Sequence, residues 1–93
     1  MDQLEYLAQT YFHPDWDLEA TTAVGVLVNF LRDEPTEDVA ALVRELTRIL
    51  STSPSEEELH DIWLRRSGAL WDPTSGGWQT YREWFDTMLK VVS

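Results

Sequence analysis

Apolar residues recur at helical period in five separate stretches of this chain, and prolines stand in or beside the breaks between them. Leu4, Leu7, Ala8 and Tyr11 follow the i, i+3, i+4, i+7 rule, and Asp2 with Glu5 has the spacing of a capping pair. This predicts a helix over Gln3 to Phe12, stopped by Pro14. From Leu18 to about Asp33, Val24, Leu27, Val28 and Leu31 form a stripe widened by Ala23, Val26 and Phe30, which marks the most buried helix. Gly25 in its middle costs about 1 kcal/mol relative to alanine; either a second helix packs closely there or the residue is simply tolerated.

Beyond Pro35, Thr36 reads as an N-cap for a third helix built on Val39, Leu42, Val43, Leu46, Ile49 and Leu50. Glu37, Arg44, Glu45 and Arg48 occupy its opposite face. Ser53, Pro54 and Glu56 read as N-cap, first helical residue and capping acid of a fourth helix with core positions Leu59, Ile62 and Trp63. Gly68 is a candidate C-cap, and Gly68 to Gln79 is the longest loop. Thr80 and Glu83 form a capping box ahead of Tyr81, Trp84, Phe85, Met88, Leu89 and Val92. With no strand-like alternation and no internal repeat, the expected fold is all-α, a compact single-domain bundle of about five short helices over residues 1–93.

A chain of 93 residues buries one modest core, and five tryptophans, three tyrosines and three phenylalanines supply bulk for it. The absence of cysteine excludes disulfides, iron–sulfur clusters and cysteine zinc sites, and suits a reducing compartment. The first ten residues carry acids where a signal peptide carries bases, and no apolar run reaches the roughly 18 residues of a membrane span, so a cytoplasmic location is expected. The formal charge of −10 repels phosphate backbones and anionic lipid and attracts a cationic partner, which argues against direct nucleic-acid or membrane binding. The charge is uneven: residues 1–40 hold nine acids and one arginine, net −8, against −2 for residues 41–93.

The segment from Tyr11 to Asp17 gathers His13, Asp15, Asp17 and three aromatics. As a metal site it lacks further ligands at a recognised spacing, His60 being the only other histidine. As structure, the aromatics anchor a turn and Asp15 or Asp17 caps the second helix. As recognition, the turn presents Asp15, Asp17 and Glu19 to a basic surface. Asp33, Glu34, Glu37 and Asp38 extend that acidic face. Glu56, Glu57 and Glu58 match a helix dipole. Trp71 and Trp78 flank the long loop, either as exposed interface anchors or as pins that hold it down. No Gly-rich phosphate loop, cysteine nucleophile or Ser/His/Asp elbow is present, so neither catalysis nor a cofactor or metal is expected.

Tyr11-Phe12-His13 with Asp15-Trp16-Asp17, then Trp71-Asp72-Pro73, Gly77 and Tyr81-Arg82-Glu83-Trp84, resemble the helical immunity proteins of bacterial contact-dependent growth inhibition systems. The resemblance spans nearly the whole chain. It implies a cytoplasmic immunity protein that binds the toxic C-terminal domain of a cognate effector. Many such toxins are nucleases, whose basic surfaces an acidic inhibitor can occupy. Stoichiometric occlusion through Asp15, Asp17, Glu19, Asp33, Glu34, Glu37 and Asp38, with Trp71 and Trp78 as anchors, is the resulting expectation. An acidic cytosolic adaptor or regulatory subunit for another basic protein is the alternative.

Overall fold

The computed structural model describes residues 3–12 and 21–93. Among them there are five helices and no strand, as the periodicity requires. The first, α1, is Gln3–Tyr6 and continues as a wider π-helical turn over Leu7–Tyr11, closed by the Phe12 N–H on the Leu7 carbonyl at 3.2 Å. Then follow α2, Ala23–Asp33; α3, Thr36–Ser51; α4, Glu56–His60, widening into a π-helical stretch over Asp61–Arg66; and α5, Tyr81–Val92. A single 3₁₀ turn, Pro73–Ser75, interrupts the loop between α4 and α5.

Several boundaries differ from the sequence expectation. The second helix starts at Ala23 rather than Leu18, because Thr22 is extended and its hydroxyl accepts the Gly25 N–H at 3.0 Å. Thr22, not Asp15 or Asp17, is therefore its cap. Gly25 stands in the first turn and not in the middle. The buried stripe is also turned by one residue: Ala23, Val26, Leu27 and Phe30 face inward, while Val24 and Val28 are 37% and 48% exposed. With valines on both sides, the helix wheel did not fix which face the core would take. The most fully buried face belongs instead to α5, through Tyr81, Trp84, Phe85, Met88 and Val92.

In α3, Thr36 is the first helical residue and Pro35 the cap, without a side-chain bond. In α4 the cap moves from Ser53 to Ser55. The Ser55 hydroxyl accepts the Glu58 N–H at 3.1 Å and the Glu58 carboxylate accepts the Ser55 N–H at 3.2 Å, a full capping box. Ser53 takes a positive φ of 51° in the preceding turn, a conformation unsuited to a cap. Gly68 ends α4 with φ +75°, the left-handed value expected after a helix.

Two carboxylates hold helix starts that lie far away in sequence. Glu45 of α3 accepts the N–H groups of Gln3 and Leu4 at 2.8 and 3.0 Å. Glu56 of α4 accepts those of Tyr81 and Arg82 at 2.7 and 2.9 Å, while Thr80 accepts the Glu83 N–H at 3.0 Å. Each pair satisfies orphan donors with a negative charge at the positive end of a helix dipole. The expected Thr80–Glu83 box is thus half formed, and an acid of another helix serves the remaining amides.

The buried side chains make one cluster in which Leu7, Phe12, Leu27, Phe30, Leu42, Leu46, Trp63, Trp84 and Phe85 are fully covered. Within it α5 packs on α2, α3 and α4, and α1 packs on α3. The Glu45 clamp at one end of α1, and the bonds of Tyr6 and Tyr11 to Glu34 just before α3, set α1 antiparallel to α3. No helix among the described residues is long and apolar enough to cross a membrane.

Candidate functional site

The acidic residues of the α2–α3 junction converge at one corner. Pro35 disfavours helical backbone in the residue before it, so Glu34 is extended at φ −98°, ψ 150° and α2 ends at Asp33. The chain turns there, and α3 opens with Glu37 and Asp38 in its first turn, where the helix dipole stabilises negative charge. Four carboxylates thus fall within six residues at a corner between two helices.

Their surroundings differ. Asp33 is exposed and paired with the neighbouring Arg32, whose Nε and Nη2 donate at 2.9 and 3.2 Å; these bonds hold the Asp33 carboxyl below its ordinary value. Glu37 is exposed and Asp38 partly buried. Glu34 is fixed in place, because Tyr11 and Tyr6 both donate their hydroxyls to its Oε2, at 2.6 and 3.0 Å. The two rings meet edge to face at 6.1 Å, and Tyr11 meets Phe30 in the same way at 5.4 Å. Burial, and then the bond to Glu34, push the Tyr11 phenol well above its ordinary value; for Tyr6 the bond to Glu34 comes first. The phenols stay protonated donors, and Glu34 stays an oriented acceptor. Sequence reasoning had assigned Tyr11 to the core and passed over Tyr6; their partner lies 23 and 28 residues away and carries no local signal.

Asp15, Asp17 and Glu19, with His13, Pro14 and Trp16, lie outside the described residues, as does Asp2. The structure brings together the other four acids, but it places Trp71 and Trp78 elsewhere. Both indoles border a shallow hollow with Thr22, Val24 and Gly76, at the start of α2, whereas the acids lie at its end. Ten residues of helix separate the two ends, roughly 15 Å.

The indoles pin the loop. Trp71 stacks on Phe12 at 5.2 Å with an interplanar angle of 13°, and it accepts the Trp63 indole N–H on its carbonyl at 2.9 Å. A side chain at Gly76 would put its Cβ 2.5 Å from the Trp71 ring, so the loop backbone closes over that indole because residue 76 has none. Trp78 lies edge-on to Trp84 at 4.8 Å and donates its N–H to Thr87 Oγ1 at 3.0 Å. Both remain partly exposed. Between them and the acidic corner, Val24 and Val28 run along the outer side of α2, ahead of Arg32 at the next turn.

Asp72, named in the sequence only as part of the Trp71-Asp72-Pro73 motif, has a structural role that the sequence did not reveal. It accepts the Thr74 N–H, the Thr74 hydroxyl and the Tyr81 hydroxyl at 2.9, 2.7 and 2.8 Å, tying the loop to α5. Burial pushes its carboxyl up, but the bonds from Thr74 and Tyr81 outweigh this and hold it below the ordinary value. His60 lies 3.4 Å from Asp61 and edge-on to Tyr81. Among the described residues no group of three or more histidine and carboxylate side chains is placed to hold a metal ion.

Along the outer side of α2 the structure thus sets a partly exposed apolar strip at one end and an acidic corner at the other. No curated protein matches the chain. A crystal structure described as the CdiA-CT/CdiI complex from Y. kristensenii 33638 contains a chain of the same fold, with a TM-score of 0.88 and 24% sequence identity over 98% of this chain and 96% of that one. The family model described as CdiI immunity protein matches residues 1–91, so the helices, the clamped Glu34 and the pinned indole loop are those of a member of the CdiI immunity protein family.

Proposed function

We propose that this chain, acting as a single domain, binds the C-terminal toxin domain of a cognate contact-dependent growth inhibition effector and neutralises it by covering its working surface, one inhibitor to one toxin. The observation that carries the reading is membership of the immunity family over residues 1–91. The solved relative's description as a CdiA-CT/CdiI complex supports a toxin C-terminal domain as the partner class. In this reading the protein works in the cytoplasm of the producing cell and has no catalytic step of its own.

The contact surface runs from Trp71 and Trp78 along Val24 and Val28 to Asp33, Glu34, Glu37 and Asp38; Asp15, Asp17 and Glu19, which lie outside the described residues, are assigned to the contact from their charge in the sequence. A nuclease is the toxin class that fits best, because an enzyme that attracts phosphate presents a basic cleft and a chain of charge −10 is drawn to it. Partly exposed aromatics and valines give such an encounter an apolar centre, and the charged corner gives it orientation.

The test mixes the purified protein with the toxin domain encoded beside it, and measures complex stoichiometry by light scattering together with toxin activity on nucleic acid. A one-to-one complex with activity abolished at equimolar inhibitor is expected. Full toxin activity in excess inhibitor, with no complex, sinks the proposal.

A further inference from the structure

The face shared by α1, α3 and α4 carries a feature of opposite sign. A hollow of about 250 Å³ is bordered by Leu4, Glu45, Arg48, Ile49, Ile62 and Arg66, with the buried Ser67 beside them. Arg48 and Arg66 are exposed and, like Arg44 and Lys90 but unlike Arg32, Arg65 and Arg82, form no ion pair among the described residues; they alone of the basic residues line this hollow. Glu45, the acid between them in the lining, is already engaged through both oxygens by the N–H groups of Gln3 and Leu4. The hollow is therefore lined by two arginines without an ionic partner beside the apolar Leu4, Ile49 and Ile62, in a chain whose net charge is −10.

We propose that this hollow is a specificity socket that receives one carboxylate side chain, an aspartate or glutamate, from the toxin domain. The inference rests on the toxin-binding reading above. Guanidinium forks match carboxylate geometry with paired N–H donors, and the apolar lining of Leu4, Ile49 and Ile62 strengthens such a bond by lowering the local polarity. The volume is below the roughly 300 to 1,000 Å³ of ordinary small-molecule sites and suits a single side chain.

The socket's position gives it a purpose. Glu37, Ala41, Arg44 and Arg48 recur along one side of α3 at helical period, so an acidic corner and a cationic hollow lie at the two ends of the same helix, roughly 16 Å apart by the 1.5 Å rise per residue. The overall negative field attracts any basic surface. A cationic point within the contact rejects every basic surface that lacks an acid at the matching place. Attraction and discrimination thus come from charges of opposite sign at the two ends of α3, in a contact that continues from the acidic corner along that helix.

The experiment measures association and dissociation rates with the cognate toxin domain for the wild-type protein, Arg48→Glu, Arg66→Glu and the control Lys90→Glu. All three substitutions make the inhibitor more acidic by the same amount, so general attraction to a basic toxin predicts equal or tighter binding for each. The socket predicts that Arg48→Glu and Arg66→Glu weaken binding about tenfold or more, through faster dissociation, while Lys90→Glu does not. Circular dichroism and thermal melting establish that each variant is folded, and Arg48→Gln and Arg66→Gln replace any that is not, with weakened binding again expected. Unchanged or tighter binding by the folded Arg48 and Arg66 variants overturns the socket and leaves toxin binding standing. Equal weakening in all three variants overturns it too. If the wild-type protein itself fails to bind, the immunity reading falls with it.

Discussion

The two ends of α2 are built from different materials. At its start, Trp71 and Trp78 close with Trp63, Trp84 and Phe12 into a cluster of rings whose neighbouring centroids lie between 4.8 and 5.8 Å apart. At its end, four carboxylates crowd a turn, and only Glu34 among them is held by two partly buried tyrosines. Close ring packing yields stability wherever it is placed, whereas exposed charges add little to stability and much to encounter rates. Bracing of the fold therefore falls mainly to one end of this helix and exposed charge to the other, so substitutions should separate stability from encounter rate.

The largest effect is expected at the aromatic end. Phe12 is fully buried between Trp63, Trp71 and Trp84, and Phe12→Ala should cost about 3 to 5 kcal/mol in urea unfolding. A loss below about 1 kcal/mol would show that the ring cluster is not the main brace. Next come the distant clamps: Glu45→Ala and Glu56→Ala each remove the acceptor for two helix-start amides and should cost about 1 to 2 kcal/mol. Glu45 is the less exposed of the two, so its variant should unfold first on heating.

A subtler separation appears with pH. The folded carboxyl of Asp72 lies below its unfolded value, so its contribution to stability is present above the unfolded value and is lost as pH falls through the folded one. Asp72→Asn should therefore be less stable than the wild type at neutral pH and converge on it in acid; a constant difference across the titration would refute the linkage. The smallest effect on stability belongs to the acidic corner. Glu37→Gln should shift stability by no more than about 0.5 kcal/mol while slowing association with the toxin domain, an effect that added salt should flatten. A large stability loss there would erase the contrast between the ends.

Much of this molecule can be read before it is seen, and the residues show why. Five helices and the course of α5 follow from spacing alone, because Tyr81, Trp84, Phe85, Met88 and Val92 leave only one face to bury. On α2 valines lie on both sides of the stripe, so the inward face was set by packing rather than by sequence. Ser53 and Ser55 are both plausible caps, and the positive φ of Ser53 decides between them. The acidic corner was legible as a run of charges, but its internal order was not. Glu34, Glu45 and Glu56 look alike in a sequence, and each acquires its task from a partner between 23 and 42 residues away. The Arg48 and Arg66 pair was hidden for the same reason, since it forms only when α3 and α4 meet.

The ring cluster also makes the molecule optically self-reporting. Four indoles in contact exchange excitation energy and couple their transitions, so emission and near-ultraviolet dichroism carry a signature that exists only while the rings hold their mutual angles. Loosening of the core would erase that signature even where helix content survived. Occupancy of the α3–α4 hollow alone, which none of these rings lines, should leave it intact, whereas a partner that covers the partly exposed Trp71 and Trp78 should shift their emission without erasing the coupling. Unfolding and partner capture can thus be followed in one cuvette, without a label.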